Sequence, residues 1–228
     1  MPTTTVEPTL LHGMGAARVY LTLYNAFYAL AWTYVLLAVC AALLEAPSAH
    51  AKAYAAVADV VSLVQTASLL ETLHAGAGLT RSGVLGNFAQ WAGRTHCWWL
   101  VVARPELSKS AAIVVLMLTW SLADVIRYSW AALGHACPRA LTVLRYSAFV
   151  VLYPLGAGAE VVLMALALPA AKAGFRRVRM PNAWNVGFDY GSFLFCVLIA
   201  YPWLWAILYK SLFRQRQKKL CSSGKKEL

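Results

Sequence analysis

Charge is scarce in this sequence, acidic charge most of all, and so are the residues that hold metals or nucleotides. Nine Asp and Glu stand against twenty Lys and Arg, and charged residues fill only 13% of the 228 positions. A soluble domain is nearer a quarter charged, so an ordinary water-facing surface is excluded. The five histidines (His12, His50, His74, His96 and His135) are dispersed, which excludes the histidine-rich di-iron sites of membrane desaturases and hydroxylases. Glu71 and His74 form half of a di-iron bundle motif, but its second half is missing. The five cysteines (Cys40, Cys97, Cys137, Cys196 and Cys221) show no CxxC spacing, so neither a zinc site nor a disulfide framework is expected. No Walker loop occurs, and "GAGAE" at 156–160 follows no strand and lacks the third glycine of a dinucleotide fingerprint. The chemistry expected here therefore uses no metal and no cofactor. The first seventeen residues also lack the order of a cleaved signal peptide.

Apolar runs are what the chain has in abundance: 61% of its residues are hydrophobic. Six stretches, near 19–44, 54–78, 83–103, 110–132, 140–168 and 188–209, are apolar enough to be read as membrane spans. Short breaks such as "EAPSAHAK", "TRSG" and "GHACPR" separate them, rich in Gly, Pro and Ser. The predicted fold is all-α: a polytopic bundle of six transmembrane helices forming one domain over 1–228. A short arm, 1–18, precedes the bundle and a basic tail, 210–228, follows it. Seven of the twenty Lys and Arg lie in that tail, which marks it as a cytosolic flank facing anionic lipid. Both termini are then cytosolic. No nucleic-acid-binding motif accompanies the charge, so membrane lipid is the expected partner and nucleic acid is not. The chain ends "KKEL", where Lys225 and Lys226 match a dilysine retrieval signal of the endoplasmic reticulum.

Polar side chains inside spans are costly and mark interiors or wet cavities. In the second stretch Ser68, Glu71 and Thr72 share a helical face, with His74 three residues beyond Glu71. The third aligns Asn87, Gln90 and Arg94, the fourth Asp124, Arg127 and Tyr128. The fifth places Tyr146, Tyr153 and Glu160 seven residues apart each time. Seven residues leave only about 20° of drift on an ideal helix, so these three project along one wall. Four such stripes predict a polar pocket within the membrane. Pro154 is expected to bend its helix, and Gly156 and Gly158 to admit a close backbone approach. Proton transfer between an acid and a base is the chemistry this inventory supports, with Tyr and Glu able to supply both.

Several runs then resemble one family. "LLETLHAGAGLTRSGV" at 69–84, "QWAGR" at 90–94, "WSLADVIRYSW" at 120–130, "LRYSAFVVLYPLGAGAE" at 144–160 and "RMPNAWNVGFDYGSFL" at 179–194 occur in family order. The chain is similar to the very-long-chain (3R)-3-hydroxyacyl-CoA dehydratases, the PASTICCINO2-like, PTPLA-related proteins. That resemblance implies an enzyme of the endoplasmic reticulum membrane. It would remove water from (3R)-3-hydroxyacyl-CoA to give trans-2-enoyl-CoA, the third step of fatty-acid elongation. It also implies an acyl-CoA substrate and other elongation enzymes as partners. The catalytic tyrosine and glutamate map onto Tyr153 and Glu160, the supporting arginines onto Arg127 and Arg145, and the motif glycine onto Gly156. Gln90 and Arg94 match as well, while Asp124 stands where the family usually has Glu.

From the residues alone, Tyr146, Tyr128, Glu71 and His74 join these as supporting candidates. Which of Tyr153 and Glu160 is the base stays open. Their separation, about 10.5 Å of helical rise, implies that they flank a substrate rather than touch. Arg145 is expected to stabilise a charged partner. The competing reading is a catalytically inactive scaffold of the same fold that binds other elongation enzymes.

Overall fold

A computed structural model describes residues 8–221 apart from Arg81, Arg179, 181–184 and Val186, with side chains described between Gly15 and Leu220. The expected "KKEL" signal, with Lys225 and Lys226, and the "PNAW" part of the last motif lie outside the described residues. The described fold is all-helical. Its α-helices are α1 (Pro8–Glu45), α2 (His50–Ala55), α3 (Ala58–Ala67), α4 (Leu70–Gly76), α5 (Val84–Ala103), α6 (Ala111–Leu133), α7 (Arg139–Arg145), α8 (Phe149–Lys172) and α9 (Tyr190–Cys221).

Four helical stretches are long and apolar enough to cross a membrane: Gly15–Glu45, Ala111–Ala136, Arg139–Lys172 and Tyr190–Leu220. α1 shows why lipid is their solvent. Tyr28, Trp32, Val35, Val39 and Ala42 step by three and four residues and are buried in the bundle. On the opposite side Leu23, Leu30, Leu37 and Leu44 recur every seven residues and are 63–87% exposed. A helix apolar all round, with one face packed and the other bare, belongs in hydrocarbon.

Two of the six expected stretches differ from this pattern. The second is not one helix but three short ones, α2 to α4. Around residues 68–72 the backbone tightens to i→i+3 bonds (Glu71 N–H to Ser68 O, Thr72 N–H to Leu69 O), and the Ser68 hydroxyl bonds the Gln65 carbonyl at 2.7 Å. Such local side-chain competition interrupts a helix. The third stretch is the 20-residue α5, whose Asn87, Gln90, Arg94 and His96 lower its apolarity. The fifth expected helix also breaks, at Tyr146–Ala148, between α7 and α8. Tyr146 therefore stands outside the helix that carries Tyr153 and Glu160. The basic tail, in turn, begins as helix: α9 continues through Lys219.

Contacts run from α1 to α6, from α6 to α8 and from α8 to α9, while α5 packs against α3, α4 and α8. The helices thus ring a common interior, with α9 laid against the outside of α8. Trp32, Trp98, Ile113, Leu116, Met117 and Leu163 are fully buried there and bind α1, α5, α6 and α8 into one core.

The "GFDY" segment, 187–190, acts as a structural anchor. Val178 and Phe188 pair as an antiparallel bridge. Asp189 accepts from the Ser192 N–H at 3.0 Å, capping α9, and ion-pairs with Arg177 at 2.8 Å. The Ser192 backbone N–H first, and Arg177 as well, hold the Asp189 carboxyl below the usual carboxylate range. Tyr190 donates to, or accepts from, His96 on α5 at 2.9 Å. The following glycine has a steric reason: a Cβ on Gly191 would lie 2.8 Å from the Ala171 carbonyl oxygen. Gly191→Ala should therefore destabilise the bundle by roughly 1–3 kcal/mol, read as a lower Tm in detergent. Gly158→Ala, whose Cβ meets nothing within 4 Å, should leave Tm unchanged or raise it.

Candidate active site

The α8 helix carries Tyr153 and Glu160 two turns apart, and each meets α9. Glu160 is held from two directions: the Trp120 indole N–H of α6 donates to Oε1 at 3.0 Å, and the Tyr201 hydroxyl of α9 donates to Oε2 at 2.6 Å. Both oxygens of the carboxyl are thereby oriented by neutral donors. Tyr153 lies in an aromatic stack, 14° from the plane of Trp205 and 9° from that of Tyr209. Glu160 and Tyr153 thus take separate partners, as their helical separation implies.

Pro154 explains part of this stack. Lacking an N–H, it leaves the Val150 carbonyl without its helical donor. The Tyr209 hydroxyl donates to that oxygen at 3.1 Å. One proline thus fixes a phenol of α9 beside Tyr153. α8 nevertheless runs unbroken from Phe149 to Lys172. Of the two glycines that follow, only Gly156 serves a close approach: its Cβ would meet Thr119 Oγ1 at 3.3 Å and Trp120 Cδ1 at 3.9 Å. Gly158 faces open space. Gly156 therefore seats the Trp120 segment of α6 against α8, next to the indole that holds Glu160.

A second polar cluster joins α1, α4, α5 and α6. Asp124, its side chain 3% exposed, takes Arg94 at 2.7 Å on one oxygen and Arg127 at 3.0 Å on the other. Arg127 also reaches Glu71 at 2.6 Å, and the Tyr128 hydroxyl donates to the second Glu71 oxygen. His74 meets the Tyr20 hydroxyl at 2.8 Å. Two carboxylates and two guanidiniums balance each other, the condition under which buried charge is tolerated. Arg94 links the clusters. Its guanidinium lies 4.3 Å from the centre of the Trp120 ring, whose N–H holds Glu160.

The other sequence candidates fall at the margins. Gln90 is exposed on α5, while Arg94 on its longer stem reaches inward. Asn87 bonds the Glu71 carbonyl at 3.2 Å. Arg145 lies over the Tyr146 ring, and the described hydrogen bonds to Glu160 come from Trp120 and Tyr201 instead. Tyr146 packs edge-on against Trp130. The polar stripes expected to line a wet pocket are instead paired with one another in this network. Two clefts, one lined by Arg139, Thr142, Val143, Lys219 and Leu220 and one by Ser62, Leu63, Thr66, Ala67 and Trp99, do not include Tyr153 or Glu160.

Sequence reasoning passed over Trp120, Tyr201, Trp205 and Tyr209. The signal was present for three of them: Tyr201, Trp205 and Tyr209 recur every four residues, a helical stripe. Trp120 carries no such pattern, since only the crossing of α6 on α8 brings it to Glu160. Breaking the second cluster should unfold the interior. Asp124→Asn strips Arg94 and Arg127 of their shared charge, and a loss of roughly 3 kcal/mol or more is expected, measured by denaturant unfolding in detergent.

Residues 65–222 match the family described as "Protein tyrosine phosphatase-like protein, PTPLA". The chain is 40% identical over 185 residues to the very-long-chain (3R)-3-hydroxyacyl-CoA dehydratase PASTICCINO 2A of Oryza sativa subsp. japonica, covering 78% of this chain and 83% of that one. It is 37% identical to PASTICCINO 2 of Arabidopsis thaliana, covering 90% and 95%. It is 31% identical to dehydratase 2 of Homo sapiens, covering 90% and 82%. No solved structure matches. A family match over most of the chain, with relatives at this identity over more than four fifths of their length, shows that the protein belongs to the PTPLA family.

Proposed function

We propose that the protein dehydrates (3R)-3-hydroxyacyl-CoA to trans-2-enoyl-CoA, as the names of its relatives describe for them. The observation that carries this reading onto named residues is the oriented carboxyl of Glu160 two turns from Tyr153 on α8. In the reaction the C2–H bond breaks toward a base, the C2=C3 double bond forms, and the C3 hydroxyl departs as water after gaining a proton. An ionised carboxyl only accepts and a phenol can donate. Glu160 accordingly takes the C2 proton, and Tyr153 protonates the departing hydroxyl. The two then re-equilibrate their proton before the next turnover.

The C2 proton is weakly acidic, so donors at the thioester oxygen lower the barrier. Trp205 supplies a candidate. Its indole nitrogen is buried, has no hydrogen-bond partner among the described residues, and belongs to the ring stacked on Tyr153. Tyr201 and Trp120 act on Glu160 and are positioning residues. Arg94 lies over the Trp120 ring.

The same reading takes the chain as one membrane domain with six crossings. α2, α3 and α4 in series form one crossing and α5 the next, since α3 and α4 both pack along α5. The basic end of α9 supports a cytosolic side for it, and an even number of crossings puts the N-terminus on the same side. The membrane in this reading is that of the endoplasmic reticulum.

The test is conversion of a 3-hydroxyacyl-CoA by purified protein in detergent, followed by mass spectrometry. Tyr153→Phe and Glu160→Gln should each lower kcat by at least about 100-fold, the lower end of what a positioned acid or base contributes. Tyr201→Phe should lower kcat by a smaller factor with little change in KM, because it disturbs orientation and leaves the carboxyl in place. Near-normal turnover by Glu160→Gln would remove it from the chemistry.

A further inference from the structure

The outer helix α9 meets α8 and α7 along one continuous face. Tyr201 meets Glu160, Trp205 meets Tyr153, Tyr209 meets Val150 and Phe213 meets Phe149. Farther along, Arg216 Nε donates to Ser147 Oγ at 3.2 Å, and Lys219 and Leu220 close a cleft of about 100 Å³ against Arg139, Thr142 and Val143. At 100° per residue, Arg216 and Lys219 fall within about 80° of Tyr209, on the face that carries Tyr201 and Trp205. Lys210, Arg214 and Lys218 fall about 100° to 180° away, on the opposite side. The cations of α9 are therefore divided. Three suit the lipid headgroups, and two are turned toward α7, in line with the catalytic residues. Between Tyr190 and Leu220 the helix carries no Asp or Glu.

We propose that this cleft, lined by Lys219 of α9 and Arg139 of α7, together with Arg216 one turn before Lys219, binds phosphoester groups, and that its occupant is the phosphate end of coenzyme A. This rests on the dehydratase reading for the identity of the thioester. From Tyr201 to Lys219 the helix rises about 27 Å, so an extended carrier can lie along α9 with its thioester at Tyr153 and Glu160 and its phosphates at the basic end. Arginine and lysine together suit several phosphate oxygens. The intervening aromatic face of Trp205, Tyr209 and Phe213 suits an uncharged arm. An anionic lipid headgroup offers the same phosphoester chemistry and is the rival occupant.

The experiment measures binding without turnover. Free CoA and pantetheine, which lacks the phosphates, are titrated onto the full-length protein in phosphatidylcholine nanodiscs. Arg216→Gln/Lys219→Gln should weaken CoA about tenfold, a change of about 1.4 kcal/mol, and should leave the pantetheine titration close to that of the unaltered protein. Added salt should weaken CoA binding to the unaltered protein. Lys52→Gln, a change at a pair with Glu45 far from the cleft, should not alter CoA binding, and tryptophan fluorescence melts confirm that each variant is folded. Equal CoA affinity in the double variant and the unaltered protein would overturn the proposal. If the double variant keeps its CoA affinity but loses the retention of phosphatidylserine that the unaltered protein shows in mixed-lipid nanodiscs, the cleft serves lipid and the CoA assignment is overturned. CoA binding that depends on Arg216 and Lys219 in a protein that turns over no hydroxyacyl-CoA supports the cleft and rejects the dehydratase chemistry alone.

Discussion

A carboxyl placed among apolar helices must find donors, and Glu160 finds one on each of two other helices. Trp120 comes from α6 and Tyr201 from α9. That three-helix junction sets much of the rest. It requires α6 to approach α8 closely, which Gly156 permits. It also requires α9 to lie in one register along α8, which the hydrogen bond from Tyr209 to Val150 fixes one level away. Water is absent from hydrocarbon, so unmade hydrogen bonds there are expensive. The carboxyl therefore acts as a register pin for the three helices.

Pro154 shows the same economy of polar groups. In a soluble helix the acceptor it exposes would be hydrated, whereas here it must be met by protein. Tyr209 meets it and brings its ring parallel to Tyr153. A residue that breaks the helical ladder thus becomes the fastening between two helices. α8 runs unbroken through Pro154, where a bend was expected, and the fifth stretch is interrupted earlier, at Tyr146–Ala148, where α7 ends.

The second cluster, Arg94–Asp124–Arg127–Glu71–Tyr128, is a charge-balanced clamp. It ties α4, which has no long helix of its own, to α5 and α6. Its contact with the Glu160 junction runs through the ring of Trp120. The Asp at position 124 accepts from both arginines, one on each oxygen. The shorter acid is thus accommodated by the reach of Arg94 and Arg127.

What the sequence by itself determined follows from local rules. Apolar runs marked the long helices α1, α6, α8 and α9, because burial in lipid is a property of composition over a window. The i, i+3 spacing of Asp124 and Arg127 was legible because a helix makes those two neighbours wherever it lies. Motif resemblance marked Tyr153, Glu160 and the family. Tertiary structure decided what no window contains. The breaks within 54–78 and at 146–148 arise from tight turns that hydropathy does not register. Gln90, counted with Arg94 by spacing, is left at the surface because reach rather than spacing decides which side chain enters the interior. Trp120 and Tyr201 lie 40 and 41 residues from Glu160 along the chain, and only the packing of α6 and α9 on α8 makes them its donors.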